Sequence, residues 1–222
     1  MSFTIYLARH GQTILNKYRR LQGWCDSPLT DQGVKDAQIA GEHLQNVSFN
    51  AAYASDTLRA IRTSEEILKQ NQNDTPDLKT IPYFREQGFG YFEGSDSGHT
   101  WVMAGAPHGA NTYYQILDQY GASATRDFLH EADPFGDAED EKTFQTRISE
   151  GFEYLKQHHH DGENILLVSH SLTIRTIVDR FAPEYDAPNN GPKNGSVTKL
   201  TVTDDGQILV DYYNHFMDGE EY

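Results

Sequence analysis

The stretch Phe3-Thr4-Ile5-Tyr6-Leu7-Ala8-Arg9-His10-Gly11 decides the fold. Six β-favouring or apolar residues run into Arg-His-Gly, so they read as a buried strand that ends at a chemically equipped loop. Two more segments repeat the pattern. Asn164-Ile165-Leu166-Leu167-Val168-Ser169 runs into His170, and the shorter stretch Asn50 to Ala54 runs into Ser55-Asp56. Helix patterns lie between these strands. Thr30 caps a segment from Asp31 to about Leu44 with Val34, Ala37, Gly41 and Leu44 on one face. Ser55-Asp56 offers caps for a helix from Thr57 to Lys69. Phe144, Ile148, Phe152 and Leu155 stripe a helix from Glu141 to about His158, and Leu172 to Phe181 forms another.

Leu78 to Pro82 reads as a third strand, and the chain finishes on a hairpin: Ser196 to Thr203, the Asp205-Gly206 turn, and Gln207 to Tyr213. Strands alternating with helices predict a three-layer α/β/α fold with a mostly parallel central sheet and an antiparallel edge hairpin. Residues 88 to 140 mix glycines, aromatics and acids without strand-like alternation. They predict a partly helical insertion over the active site, within a single domain of residues 1 to 222.

Composition excludes several classes of function. Eighteen basic residues face 33 acidic ones, a formal net charge of −15. Such a surface repels nucleic-acid phosphate and anionic membranes, so neither is an expected partner. No apolar run is long enough to cross a bilayer. Met1-Ser2-Phe3-Thr4 lacks the basic start and long apolar stretch of a secretory signal. The single cysteine, Cys25, excludes an internal disulfide and fits a reducing compartment. A cytoplasmic protein is the expectation.

Ligand sites in α/β sheets lie beyond the carboxyl ends of strands. That rule gathers Arg9-His10, Ser55-Asp56 and His170 at one sheet edge. Arg59 falls in the first turn of the helix after the second strand, where free N–H groups and the helix dipole favour an anion. Two guanidinium forks in so acidic a chain suit phosphate. A neutral imidazole is a competent nucleophile toward phosphorus, whereas no hydroxyl–base triad is evident and Cys25 has no motif around it. The departing oxygen needs a proton, and Glu86, just beyond the third strand, could supply it. The competing reading pairs Glu86 with Arg85 in a surface salt bridge. His158-His159-His160 predicts a hydrophilic helix exit, with no metal-ligand set evident elsewhere.

These residues resemble the histidine phosphatase superfamily in its phosphoglycerate-mutase-like branch, of the small phosphatase type. Leu7-Ala8-Arg9-His10-Gly11-Gln12-Thr13, with Asn16 and Gly23 following, looks like its signature. Ser55-Asp56-Thr57-Leu58-Arg59-Ala60 is similar to the second motif, and Arg85-Glu86 through Gly90-Tyr91-Phe92-Glu93-Gly94 to the third. Val168-Ser169-His170 matches the fourth, and Asn194-Gly195-Ser196-Val197 the last-strand segment. The resemblance implies that His10 is phosphorylated and that Arg9, Arg59 and His170 bind the phosphoryl oxygens. It makes Glu86 the proton donor and acceptor, has Asn16 orient His10 or touch phosphate, and lines the pocket with Gln22 and Gly23. Ser171 stands where the family usually has Gly; its backbone N–H can still reach phosphate, with less room for close approach. No metal or other cofactor is implied, and a homodimer is admitted without being required.

Phosphomonoester hydrolysis of a small phosphorylated metabolite is therefore the expected activity. The alternatives are a cofactor-dependent phosphoglycerate mutase or bisphosphatase, and a non-catalytic binder of phosphorylated ligands. Between Gln87 and Glu141 the insertion carries one basic residue, Arg126, against ten acids, and it offers Trp101, Tyr113, Tyr114, Phe128 and Phe135. A roof so poor in cations predicts a leaving group that is neutral, apolar or cationic. Lys17, Arg19 and Arg20 form a basic cluster that could supply a second anion site or simply be a solvated turn.

Overall fold

The computed structural model describes residues 2–216, 219–220 and 222; Met1, part of the stretch read for a targeting signal, lies outside them. Six strands form one sheet: β1 (Phe3–Arg9), β2 (Ala51–Ala54), β3 (Leu78–Thr80), β4 (Asn164–Ser169), β5 (Val197–Val202) and β6 (Ile208–His215), in the spatial order β3-β2-β4-β1-β5-β6. The pairs β1–β4, β2–β4 and β2–β3 are parallel, while β5 runs antiparallel to both β1 and β6. The mostly parallel sheet with an antiparallel edge hairpin is thus the observed architecture.

Alternation along β1 explains the layers, because successive side chains leave opposite faces of the sheet. Ile5 and Leu7 enter one core together with Ile165, Leu167, Phe144, Ile148, Phe152 and Ile177. Tyr6 and Ala8 enter the other, with Leu166, Val168, Ala40, Leu44 and Ile67. The first core is covered by α7 (Glu141–His158) and α8 (Ser171–Phe181), the second by α2 (Asp31–His43) and α3 (Leu58–Gln70). Each fully buried Leu, Ile or Phe stabilises this packing by about 1.5–3 kcal/mol.

Register then builds the site. Arg9 pairs with Ser169 and Ala54 with Val168, so β1, β2 and β4 end level with one another. His10, Ser55 and His170 follow side by side. Gly11 allows the next step: a Cβ there would lie 2.0 Å from the Gly33 carbonyl oxygen at the start of α2.

The insertion folds as α4 (Ser97–Gly105), α5 (Tyr113–Tyr120) and α6 (Ala122–Ala132), capped at two starts by Asp96 and Thr112. Its aromatics make their own core, in which Phe89, Phe92, Trp101, Ile116 and Leu129 are buried and Tyr113, Phe128 and Leu172 pack against them. Helix boundaries in the α/β frame lie within a residue or two of expectation. β3 stops at Thr80 because Pro82 has no N–H to continue the ladder and opens a 3₁₀ turn over Pro82–Phe84. One helical turn, α1 (Ile14–Lys17), is too short to show a period; Thr13 and Asn16 hold it in a capping box. α3 starts without the expected local cap. Its first N–H donates to Asp26 from a distant loop, so the helix start already holds an anion of the protein's own.

Candidate active site

His10 leaves β1 with 3% of its surface exposed. Its Nδ1 lies 2.8 Å from the Gly11 carbonyl oxygen. A carbonyl can only accept, so Nδ1 carries the proton and Nε2 keeps the lone pair. The peptide beyond His10 is pinned from both sides. Asn194 Nδ2 donates to the His10 carbonyl at 2.9 Å, and the Gly11 N–H donates to Thr63 Oγ1 at 3.0 Å. Thr63 in turn donates to the Arg59 carbonyl at 2.7 Å, tying the nucleophile's loop to α3.

His170 packs beside His10, with ring centroids 5.0 Å apart. It is fully buried, accepts at Nδ1 from Arg59 Nε at 3.2 Å, and therefore donates from Nε2 to Ser55 Oγ at 2.6 Å. Arg59, 1% exposed, also directs Nη1 at the Cys25 carbonyl and Asp26 Oδ1, and Nη2 at the carbonyls of Gln22 and Gly23. The Glu93 carboxylate accepts from the N–H groups of Gly23, Trp24 and Cys25 on the same loop. That loop is thereby held from both sides by opposite charges. The Cys25 thiol is pushed up to about 12, first by burial and then by its hydrogen bond to Glu93, which makes it a poor nucleophile.

Glu86 is buried rather than paired with Arg85, which instead binds Asp56. Its Oε1 accepts from the N–H groups of Thr173 and Gln87 at 3.1 Å each, and its Oε2 from Leu172 N–H at 3.0 Å. The carboxyl group thus sits at the start of α8, where its oxygens meet otherwise unpaired N–H groups. Trp24 Nε1 and Arg147 Nη2 grip the Glu86 carbonyl at 3.1 and 3.2 Å and fix the backbone from the other side.

A cavity of about 390 Å³ lies beside this cluster and reaches Arg9 and Glu86, while His10, Arg59 and His170 are buried behind its wall. Arg9, Glu86, Asn16, Gln22 and Ser171 of the expected residues line it. Gly23 lies behind the wall and contributes its carbonyl to Arg59; a Cβ there would sit 2.0 Å from the Gln87 carbonyl oxygen. Sequence reasoning missed Arg175 and left Arg20 ambiguous, and both line the cavity. One signal could have found Arg175. It stands four residues after Ser171 on one helix, hence on the same face. Six of the insertion's ten acids are engaged elsewhere: Glu93 on the loop, Asp96 and Asp140 as caps, Glu139 on Arg147, Glu141 on Arg126, and Asp133 on backbone N–H groups. The cavity wall holds three arginines and one acid, Glu86, so the insertion's acids lend no support to the expected neutral, apolar or cationic leaving group.

Burial is the first cause that holds both His10 and His170 well below the ordinary imidazole value, followed by the Arg59 guanidinium, with Arg9 also opposing protonation. Burial likewise brings Arg9 down to about 10, which leaves it charged at neutral pH. Both imidazoles are accordingly neutral at pH 6.5. A group whose folded value lies below its unfolded value favours unfolding as pH falls through the unfolded value, about 6.5 for His. The melting temperature should therefore decline as pH drops below that point, while the acid limb of kcat/KM assigned to His10 lies below it. Titration of the His10 and His170 ring signals by NMR checks this: a midpoint at or above 6.5 for either ring contradicts it.

Among the described residues no group of three or more His, Cys, Asp or Glu could hold a metal ion, and no helix is long and apolar enough to cross a membrane.

The family description "Histidine phosphatase superfamily (branch 1)" matches residues 5–101 and 104–215. The crystal structure of phosphoglycerate mutase from Bacillus anthracis str. Sterne superposes with a TM-score of 0.89 and 34% identity, covering 97% of this chain and 94% of that one. Fructose-2,6-bisphosphatase TIGAR B of Danio rerio is 34% identical over 131 residues, 54% of this chain and 51% of the relative, so the match spans about half that protein's length. A 2,3-bisphosphoglycerate-dependent phosphoglycerate mutase 2 of Gloeobacter violaceus is 29% identical over 187 residues, 81% of this chain and 77% of the relative.

Proposed function

Since the chain belongs to the histidine phosphatase superfamily, we propose that it hydrolyses phosphomonoesters of small metabolites through a phosphohistidine on His10, without a metal, in the cytoplasm. One observation carries the reading: the Gly11 carbonyl claims Nδ1 of a neutral His10, which leaves Nε2 as a nucleophile with the Arg59 and Arg9 guanidinium groups nearby. In the first step the Nε2 lone pair forms a bond to phosphorus, the ester P–O bond breaks, and Glu86 gives its proton to the departing oxygen. In the second, Glu86 takes a proton from water, the water oxygen bonds to phosphorus, and the P–N bond breaks to release phosphate. Atoms and charge balance over the cycle, and His10 and Glu86 return to their starting forms.

Arg9 has a donor to spare, since its Nε finds no acceptor within the protein, while its Nη1 is anchored on the Pro192 carbonyl at 2.6 Å. Arg59 and His170 direct their donors at protein acceptors. They reach phosphoryl oxygens by exchanging those acceptors, which links anion entry to the loop at 22–26. Asn16, Gln22 and the start of α8 at Ser171 would line the bound ester. Phosphoglycerate mutases and fructose bisphosphatases among the relatives favour a second reading, in which the same phosphohistidine serves transfer to a second oxyanion rather than to water.

Quenching the enzyme during turnover of a ³²P-labelled ester tests the proposal. Label on the protein that survives alkali, is lost in acid and maps to His10 is expected. Steady turnover with no such label at any quench time would overturn it.

A further inference from the structure

We infer that the Ser171 hydroxyl is a catalytic group of the second half-reaction: it accepts a hydrogen bond from the attacking water and so favours water over an alcohol as acceptor of the phosphoryl group. The inference rests on the phosphohistidine reading above and adds what decides the fate of that intermediate.

The two oxygens of Glu86 are unequally occupied. Oε1 accepts from the N–H groups of Thr173 and Gln87 at 3.1 Å each and lies 3.4 Å from Thr173 Oγ1. Among the described residues Oε2 accepts from the Leu172 N–H alone, at 3.0 Å. The lone pair free to exchange a proton with substrate or water is therefore on Oε2. Ser171 directly precedes Leu172 as the first residue of α8, and it lines the cavity together with Glu86 and Arg9. Its hydroxyl has no hydrogen-bond partner among the described residues.

A count of hydrogens shows what that hydroxyl is for. When water attacks, its oxygen bonds to phosphorus, the P–N pair returns to His10 Nε2, one proton passes to Glu86 Oε2, and the other stays on the phosphate. That second hydrogen needs an acceptor while the water is held in line, and leaving it unmet in a water-poor cavity is costly. An alcohol carries carbon in its place, as does the departing oxygen of the first step, so an acceptor beside Oε2 serves water alone. The rest of the wall offers little. Arg9, Arg20 and Arg175 only donate. Gln22 Oε1 already accepts from Thr13 Oγ1 at 2.5 Å, and Asn16 Oδ1 from the Thr13 N–H at 3.2 Å. The hydroxyls of Ser97, Tyr113 and Tyr114 belong to the insertion, whereas Ser171 adjoins the residue whose N–H meets Oε2. A Gly at 171 would keep the backbone N–H and lack the acceptor.

Rapid quenching with nitrophenyl phosphate separates formation of the phosphohistidine from its breakdown. Ser171→Ala and Ser171→Gly should each lower the ratio of breakdown rate to formation rate by about three- to tenfold, the size of one hydrogen bond. With glycerol added, both variants should also turn product from inorganic phosphate toward glycerol phosphate by a similar factor, because glycerol makes no use of the lost acceptor. The two replacements differ by a methyl group, so agreement between them assigns the effect to the hydroxyl and not to crowding. A ratio within about twofold of the parent in both variants, opposite changes in the two, or a loss shared equally by water and glycerol would each overturn the inference. A parent protein that turns over with no phosphohistidine at any quench time would instead fault the role given to His10.

Discussion

His10→Ala should lower kcat/KM for an aryl phosphate by about 10⁴-fold or more, because it deletes the atom that forms the covalent bond rather than one that polarises it. Arg9 and Glu86 would remain at the cavity, so phosphate analogues should still bind while the alkali-stable label disappears. The fold should survive. Among the described residues the His10 ring takes part in no ion pair, its hydrogen bond runs to the neighbouring carbonyl, and the loop is held at its peptide by Asn194 and Thr63. Deletion also removes an imidazole whose burial penalises the folded state in acid. The variant's melting temperature should consequently fall less steeply than that of the unaltered protein between pH 7 and pH 5. Activity within tenfold of the parent, measured on protein free of contaminating phosphatase, would remove His10 from the role of nucleophile.

Sequence was most informative where one physical demand governs many adjacent residues. β1 and β4 must be apolar because both faces of the sheet are covered, and their sudden change to Arg9-His10 and to His170 marks the carboxyl edge. Level strand ends then bring residues 160 positions apart into ring contact, an outcome already implied by the topology rule for ligand sites. The partners of Glu86 were illegible for the opposite reason. They are chiefly the N–H groups of Gln87, Leu172 and Thr173, and backbone donors exist at every helix start, so side-chain identity carries little trace of them beyond the Thr173 hydroxyl.

In the insertion, charge counted by position along the chain does not predict charge at the cavity wall. Six of its carboxylates go to caps, to a neighbouring loop, to backbone N–H groups and to Arg126 and Arg147, whereas the arginines lining the cavity come from β1, α8 and the residue-20 loop. A helix start within the sheet frame misled in a related way. The anion at the N-terminus of α3 is Asp26, supplied 32 residues upstream, so the dipole that suggested a ligand is satisfied by the protein itself. Local pattern fixes which face a residue occupies, but which partner meets that face is decided by tertiary packing.

Glu86→Gln separates the two halves of the reaction. The amide oxygen can still accept from Thr173 and Gln87, but its NH₂ then confronts the Leu172 N–H, donor against donor, where a carboxylate oxygen accepted at 3.0 Å. More important for rate, Gln cannot hand a proton to the departing oxygen. An alkyl phosphate, whose alkoxide leaves poorly unprotonated, should lose roughly 10²–10⁴-fold in kcat/KM. Nitrophenyl phosphate needs almost no such help and should lose far less in its first step. Its second step still requires water to surrender a proton, so the phosphohistidine should accumulate, giving a burst of nitrophenolate and a slow steady state. Equal losses for both esters with no burst would mean that Glu86 only shapes the start of α8. A burst confined to the variant would show one carboxyl group acting first as acid and then as base across the same phosphorus.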